Sequence, residues 1–400
     1  MEKPKFYKKK LKNGMTVLFE KRNSGVISIT FAVKQGGIDE TISEKGISHF
    51  IEHLLFKGTK KRTSKQISDD IERRGGNLNA FTEEEVTAYW CKIPSEHLNL
   101  ALDVLTDMIK NSVFDEKEVN KERQVIFEEL KLYKDNPRSY VFDKIKELLY
   151  QGAFAMHLGG TEKSMTNNTR EKVVQKFREV YDPSNMVLCV VGDADFAQLC
   201  DFVEKNFKSK KKIDKKIKIE GKNFELTEKR KGIDQANLVF AFHVPNAQDE
   251  KAYAASTLNS VMADGMSSRL FQEIREKRNL AYAVKGSCNI GKNFGYITIY
   301  VGTSKENVQL VKNLIIEEFE KVSEELQEKE LEEAKEQLIG NNKISREDSQ
   351  IKMVDLLYHE IYNKAENSYN YEKNIRKVKL EDVKKLAKIK NYSFFALIPE

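Results

Sequence analysis

Met186-Val187-Leu188-Cys189-Val190-Val191-Gly192-Asp193 is a short apolar run stopped by a glycine and an acid, the pattern of a strand inside a sheet. The chain ends on a counterpart, Tyr392-Ser393-Phe394-Phe395-Ala396-Leu397-Ile398, and a lysine-bearing helical stretch precedes each run. Two halves that finish alike predict two domains of one fold.

Working outward from Met186, the first half opens with two short strands between Met15 and Ala32, around the turn-like Lys21-Arg22-Asn23-Ser24-Gly25. In the second of these, Ile27, Ile29 and Phe31 alternate with smaller or polar residues, the period-two signature of a strand. Helical patterns follow from about Ser43 to Phe56 and from Thr63 to Arg74, the latter stopped by Gly75-Gly76. Asn77 to Phe81 and Val86 to Ile93 read as paired strands, and helices are expected near 95–111, 115–133, 137–150 and 168–178.

The order then recurs. A strand at 236–243 leads to helices at 249–262 and 267–277, strands at 281–290 and 294–300, and helices at 304–320, 324–340 and 347–364. Phe31-Ala32 precedes Asp39-Glu40 as Phe240-Ala241 precedes Asp249-Glu250, with the spacing differing by one residue. Strands followed by a block of helices, without regular βαβ alternation, define an α+β class. We therefore expect two homologous domains, each a mainly antiparallel sheet covered by helices. The lysine-rich stretch Lys208 to Lys218 reads as a solvated connection. It sets the expected boundaries at 1–207, a linker at 208–222, and 223–400.

Composition narrows the function classes. The 400 residues are 40% hydrophobic and 32% charged, a balance that excludes disordered, collagen-like and mucin-like chains. A net charge of +6 on interspersed Lys and Glu is no concentrated basic footprint, so nucleic acid is not an expected partner. Cys91, Cys189, Cys200 and Cys288 lie far apart and form no CxxC pair, which predicts free thiols in a reducing compartment. The basic N-terminus has no apolar run behind it, and no later stretch is long and apolar enough to span a bilayer. The expectation is a cytoplasmic protein with no membrane partner.

The sharpest chemical signal is His49-Phe50-Ile51-Glu52-His53 within an apolar-periodic helix. Four residues advance a helix by about 6 Å and about 400°, so His49 and His53 present their rings from adjacent turns of one face. Two imidazoles can then reach one ion. Glu52 lies about 60° round the helix from His49 and about 100° from His53, close enough to border that ion without necessarily binding it. A carboxylate there is placed as a general base for water polarised by zinc. Catalytic zinc takes three protein ligands and keeps one position open, so a third ligand is needed. The helical segment from Asp115 to Leu130 offers Glu122, Glu128 and Glu129, and geometry alone does not choose among them. Glu122 and Glu129, seven residues apart, share a face, and Glu128 points about 100° away.

With Gly46-Ile47-Ser48-His49-Phe50-Ile51-Glu52-His53-Leu54-Leu55-Phe56-Lys57-Gly58-Thr59 in view, the chain resembles the insulinase/pitrilysin family of zinc peptidases, the inverted-motif class, over nearly its whole length. Within that family it looks like the branch of the mitochondrial processing peptidase beta subunit and its bacterial relatives. The resemblance implies one Zn(2+) per chain held by His49, His53 and Glu129, with Glu52 as base and Glu122 as a supporting glutamate. It implies a zinc-dependent endopeptidase acting on unfolded peptides held in a closed chamber; the competing reading is a non-catalytic structural subunit of a processing-peptidase-like assembly.

Asn77-Leu78-Asn79-Ala80-Phe81-Thr82 resembles the family's edge strand beside the zinc, which implies that Asn79, Ala80 and Phe81 take substrate as an added strand. In the second half, Ser267 to Tyr282 is similar to the segment whose Arg275 and Tyr282 approach substrate near the metal. A Tyr hydroxyl can stabilise an oxyanion and Arg can anchor a peptide carbonyl. The second half has no HxxEH string, and His243 and His359 lack ligand spacing. Longer family members close four such domains into a clamshell. A two-domain chain is then expected to form a homodimer with Arg275 and Tyr282 supplied in trans, or a heterodimer with a homologous subunit. One departure is the short Ala155-Met156-His157-Leu158-Gly159-Gly160-Thr161, where the family carries a longer His-Pro-Leu-Gly loop; His157 is left as either a substrate wall or a structural residue.

Overall fold

The computed structural model describes residues 5–208, 213, 217 and 219–400, so most of the expected linker at 208–222 lies outside the described residues. The first six strands are β1 (Lys5–Lys10), β2 (Thr16–Lys21), β3 (Val26–Val33), β4 (Asn77–Thr82), β5 (Thr87–Pro94) and β6 (Met186–Gly192). They form one sheet in the order β1-β2-β6-β3-β5-β4. Only β2 and β6 run parallel; β1–β2, β6–β3, β3–β5 and β5–β4 are antiparallel. The second sheet contains β7 (Glu225–Arg230), β8 (Ala236–His243), β9 (Ala281–Ile290), β10 (Gly295–Thr303) and β11 (Ser393–Pro399) in the order β7-β11-β8-β10-β9. It too is antiparallel except for β7 beside β11. The two-domain α+β class is therefore the architecture of the chain.

Two compact units result, and neither is a continuous stretch. One comprises Met1–Leu130, His157–Ile217 and Ser345–Ser368; the other comprises Lys131–Met156, Lys218–Ile344 and Tyr369–Glu400. This differs from the continuous halves 1–207 and 223–400: residues 131–156 belong to the second unit and 345–368 to the first. The physical reason lies in β6. Its Leu188 and Val190 join the core with Ile27, Ile29 and Phe31, but Val187, Cys189 and Val191, of opposite parity, are equally buried. A sheet apolar on both faces needs two covers.

In the first unit, α1 (Ile47–Leu55), α2 (Ser64–Glu72) and α3 (Leu98–Asn111) contribute to the core on one face. The helix Ser349–Tyr362 packs on the other, with Ser28 Oγ 2.8 Å from Ser349 Oγ and the Cys189 thiol 3.5 Å from the Met353 carbonyl. In the second unit the helices Ala252–Ala263 and Val308–Glu325 share a core with β8 and β10. After α4 (Glu116–Asp135), α5 (Pro137–Leu149) covers the opposite face, its Tyr140 and Phe142 rings 6.1 and 5.7 Å from those of Phe395 and Tyr300. Each sequence half thus lends the other's sheet a helix.

The element boundaries differ from expectation where backbone chemistry intervenes. The helix expected from Ser43 begins only at Ile47, because Gly46 sits at φ +91° and the preceding Ile42–Glu44 is a separate 3-10 turn. Of the helix expected at 267–277, Phe271–Glu276 is a π-helical turn. The basic Lys5–Lys10 is an edge strand, and lysine on an edge discourages pairing with another chain. Cys91, Cys189 and Cys200 are buried free thiols and Cys288 is a half-buried one. No helix among the described residues is long and apolar enough to cross a membrane.

Candidate metal centre

α1 carries the HxxEH string, and its rotation is set by burial. Ile47, Phe50, Ile51, Leu54 and Leu55 enter the core, which leaves His49, Glu52 and His53 on the half-buried side. Its start is fixed by Glu40, whose Oε2 accepts from the Gly46 amide at 3.0 Å and whose Oε1 accepts from the Ser48 amide at 2.8 Å. A carboxylate at a helix N-terminus satisfies amides the helix cannot and meets the positive end of its dipole. Glu40 is fully enclosed, and burial raises its pKa despite the Lys45 ammonium 3.6 Å away. Lys45 in turn donates to the Gly37 carbonyl at 2.8 Å.

α4 supplies the acids. Val119, Glu122 and Ile126 form its buried stripe, and Glu129, two turns beyond Glu122, emerges beside α1. His49 Nε2 and His53 Nε2 are 3.2 Å apart, and Glu129 Oε2 lies 3.9 Å from the first and 3.7 Å from the second. Among the described residues this is the one group of three or more His, Cys, Asp or Glu whose ligand atoms converge within 4.8 Å. Donors bound tetrahedrally to zinc at about 2.0–2.1 Å are about 3.3 Å apart by geometry. The three donor atoms therefore need only small adjustments to hold one zinc ion.

The surroundings prepare these donors. His53 Nδ1 is 2.8 Å from Glu122 Oε1, and Glu122 Oε2 accepts from Lys57 Nζ at 2.7 Å. An Nδ1–H donating to Glu122 leaves the Nε2 lone pair directed toward His49 and Glu129, the tautomer a metal requires. Burial opposes charge on His53, but the Glu122 hydrogen bond and the fields of Glu52, Glu122 and Glu129 prevail and raise its pKa. Burial likewise opposes the Glu122 carboxylate, yet His53 and Lys57 hold its pKa below the ordinary value. Burial, then the fields of His53 and His157, pull His49 down to about 3 and keep it neutral, the form that binds metal. Its Nδ1 is buried with no hydrogen-bond partner among the described residues.

Glu52 stands outside the donor trio. Its Oε2 accepts from Thr82 Oγ1 at 2.5 Å, and burial raises its pKa against the opposing pull of Thr82 and His53. Glu128, one of three acids left open by spacing, is exposed and outside the convergent group. β4 is an edge of its sheet. Along it, Asn79 Oδ1 accepts from the Ala80 amide at 2.8 Å, and the Phe81 ring lies 6.3 Å from that of Tyr358. His157 Nδ1 accepts from the Gly159 amide at 3.0 Å, close enough to His49 for its field to be felt there. In the second unit, the Arg275 guanidinium lies 4.9 Å from the centroid of the Tyr282 ring, which is 80% exposed. The structure thus pairs Arg275 with Tyr282.

Glu40, Lys45, Lys57 and Thr82 were not singled out as site residues by sequence reasoning. Lys57 had a usable signal, since it follows His53 by four residues, one position past the C-cap Phe56 of the same helix. Glu40 and Thr82 reach α1 through tertiary contacts, which no local period reports. The Glu122 contacts carry a prediction: Glu122→Gln, which removes the negative charge that His53 Nδ1 and Lys57 Nζ both meet, weakens zinc binding by about 10–100-fold, the usual cost of altering the outer partner of a ligating imidazole. Competition against a chromophoric chelator measures it, and unchanged affinity would assign Glu122 to structure alone.

The chain is thus a repeated α+β fold whose first unit brings two imidazoles and a carboxylate together from facing helices, a donor set that suits a zinc ion. The family described as Insulinase (Peptidase family M16) matches residues 16–162, and the one described as Peptidase M16 inactive domain matches residues 167–338. The chain is 35% identical to the uncharacterized zinc protease YmxG of Bacillus subtilis, over 85% of this chain and 84% of that one. It is also 35% identical to an uncharacterized zinc protease of Rickettsia felis, over 86% and 85% of the respective chains. Among solved structures, a protease from Helicobacter pylori superposes with a TM-score of 0.90 at 23% identity, covering 99% of this chain and 100% of that one. A peptidase M16 inactive domain from Pseudomonas fluorescens gives 0.88 at 18% identity, covering 99% and 98%. The chain belongs to the insulinase (M16) peptidase family.

Proposed function

We propose that this protein is a zinc-dependent endopeptidase that cleaves unfolded peptides held in a closed chamber. The observation carrying the reading is the convergence of His49 Nε2, His53 Nε2 and Glu129 Oε2 beside a carboxylate, Glu52, that is not one of the three. Those three side chains would hold one zinc ion. When bound, zinc supplies Lewis acidity, which makes a water easier to deprotonate and a carbonyl easier to attack.

Glu52 takes the proton of the attacking water as its oxygen bonds to the scissile carbonyl carbon. It later returns that proton to the departing amine as the C–N bond breaks. Glu122 and Lys57 hold His53 in register. The edge strand β4 offers Asn79, Ala80 and Phe81 to an extended peptide as a further strand, a mode that selects for unfolded chains. Arg275 and Tyr282 would serve the substrate from a second copy in a homodimer; the large exposure of Tyr282 supports that part of the reading.

The test uses internally quenched peptides without stable structure and zinc-loaded protein resolved by size. Hydrolysis is expected in the dimer fraction, abolished by a chelator and restored by zinc. Absence of cleavage by zinc-loaded dimer across a varied peptide set overturns the reading.

A further inference from the structure

Thr82 occupies a place that neither substrate binding nor metal binding explains. It is the last residue of β4, it is buried, and its neighbours fix its backbone. Thr82 pairs with Thr87 at the closed end of the β4–β5 hairpin. The Glu83 amide donates to the Val86 carbonyl at 2.8 Å, and Thr87 Oγ1 donates to the Gln35 carbonyl at 2.8 Å. From this anchored position the Thr82 hydroxyl points across to α1 and donates to Glu52 Oε2. Glu52 Oε1 makes no hydrogen bond among the described residues.

We propose that Thr82 is a positioning residue for the base: it pins one oxygen of Glu52 to the end of the strand that receives the peptide, so that the free oxygen faces the attacking water. The inference rests on the endopeptidase reading above. The physics is that of a carboxylate on a side chain with three rotatable bonds. Without a donor at Oε2, Glu52 samples rotamers that turn the proton-accepting oxygen away from the scissile bond. A single hydroxyl on a strand with fixed backbone removes that freedom. Because β4 would bind the peptide and also carry Thr82, substrate and base are placed by one rigid element, separately from the metal ligands.

This makes an unequal demand on the kinetic constants. The peptide docks through strand contacts that the hydroxyl does not make, and the three metal donors lie on α1 and α4. Loss of the hydroxyl should therefore act on turnover and leave binding of peptide and metal intact. Thr82→Val removes the donor while keeping a β-branched side chain suited to a strand. Thr82→Ser keeps the donor. Thr82→Ala removes it without a branched methyl, in case valine disturbs the hairpin.

With zinc-loaded protein and one quenched peptide, Thr82→Val and Thr82→Ala should lower kcat by about 10–100-fold, the effect of losing a hydrogen bond to a charged group. KM should stay within about twofold, on the view that strand docking is untouched. Thr82→Ser should recover most of the lost turnover. The visible absorption of the cobalt-substituted protein should be the same in all four proteins, since the ligand set is unchanged. Wild-type turnover in the valine and alanine variants overturns the inference. So does equal loss in the serine variant, or an altered cobalt spectrum, because either would make Thr82 a structural residue. An inactive wild type overturns the endopeptidase reading and this one with it, whereas an active wild type beside unaffected variants overturns this one alone.

Discussion

Glu52→Gln protein loaded with zinc is expected to turn over peptide on the order of 10²–10⁴ times more slowly than wild type, the range general base catalysis contributes. It should still bind zinc and peptide. The argument depends on what the substitution preserves. Gln has the length and shape of Glu, and its amide oxygen can still accept from the Thr82 hydroxyl. His49, His53 and Glu129 converge without any atom of Glu52, so the metal donors are undisturbed. What disappears is the capacity to take a proton. Turnover at saturating peptide, zinc content by elemental analysis and peptide affinity by fluorescence polarisation separate the three quantities. Turnover within tenfold of wild type would remove Glu52 from the role of base.

Much of this arrangement was legible in the sequence because it depends on local periods. His49 and His53 are four apart on an apolar helix, and Glu122 and Glu129 are seven apart on another, so each pair shares a face whatever the remainder of the fold does. β6 announced a two-faced interior strand through its unbroken apolar run. What covered its second face was not legible. The helix Ser349–Tyr362 has the same apolar period whether it packs on the sheet of its own half or on the other one, and the sequence does not state the address. Glu40 is a similar case. Its two bonds to the Gly46 and Ser48 amides follow from a loop that turns back on itself, with Gly46 in a left-handed conformation no propensity assigns to a particular partner.

The three candidate acids of α4, Glu122, Glu128 and Glu129, give the sharpest test of the metal centre, because spacing alone does not choose among them and the structure does. Glu129→Ala should lower zinc affinity by about two orders of magnitude or more. Zinc bound by a full structural ligand set releases about 10–16 kcal/mol, so one ligand accounts for roughly 3 kcal/mol. Glu122→Gln leaves all three donors present and loosens only the His53 ring, hence the smaller effect given above. Glu128→Gln should leave zinc affinity unchanged, since that side chain is exposed and outside the convergent trio. Chelator competition on the purified variants measures all three affinities, and the cobalt absorption spectrum reports whether the ligand set itself has changed. It should change for Glu129→Ala and stay constant for Glu128→Gln. If Glu128→Gln weakens zinc as much as Glu129→Ala, then α4 is rotated by about a quarter turn from the position described, and the His-His-Glu site must be rebuilt around a different acid.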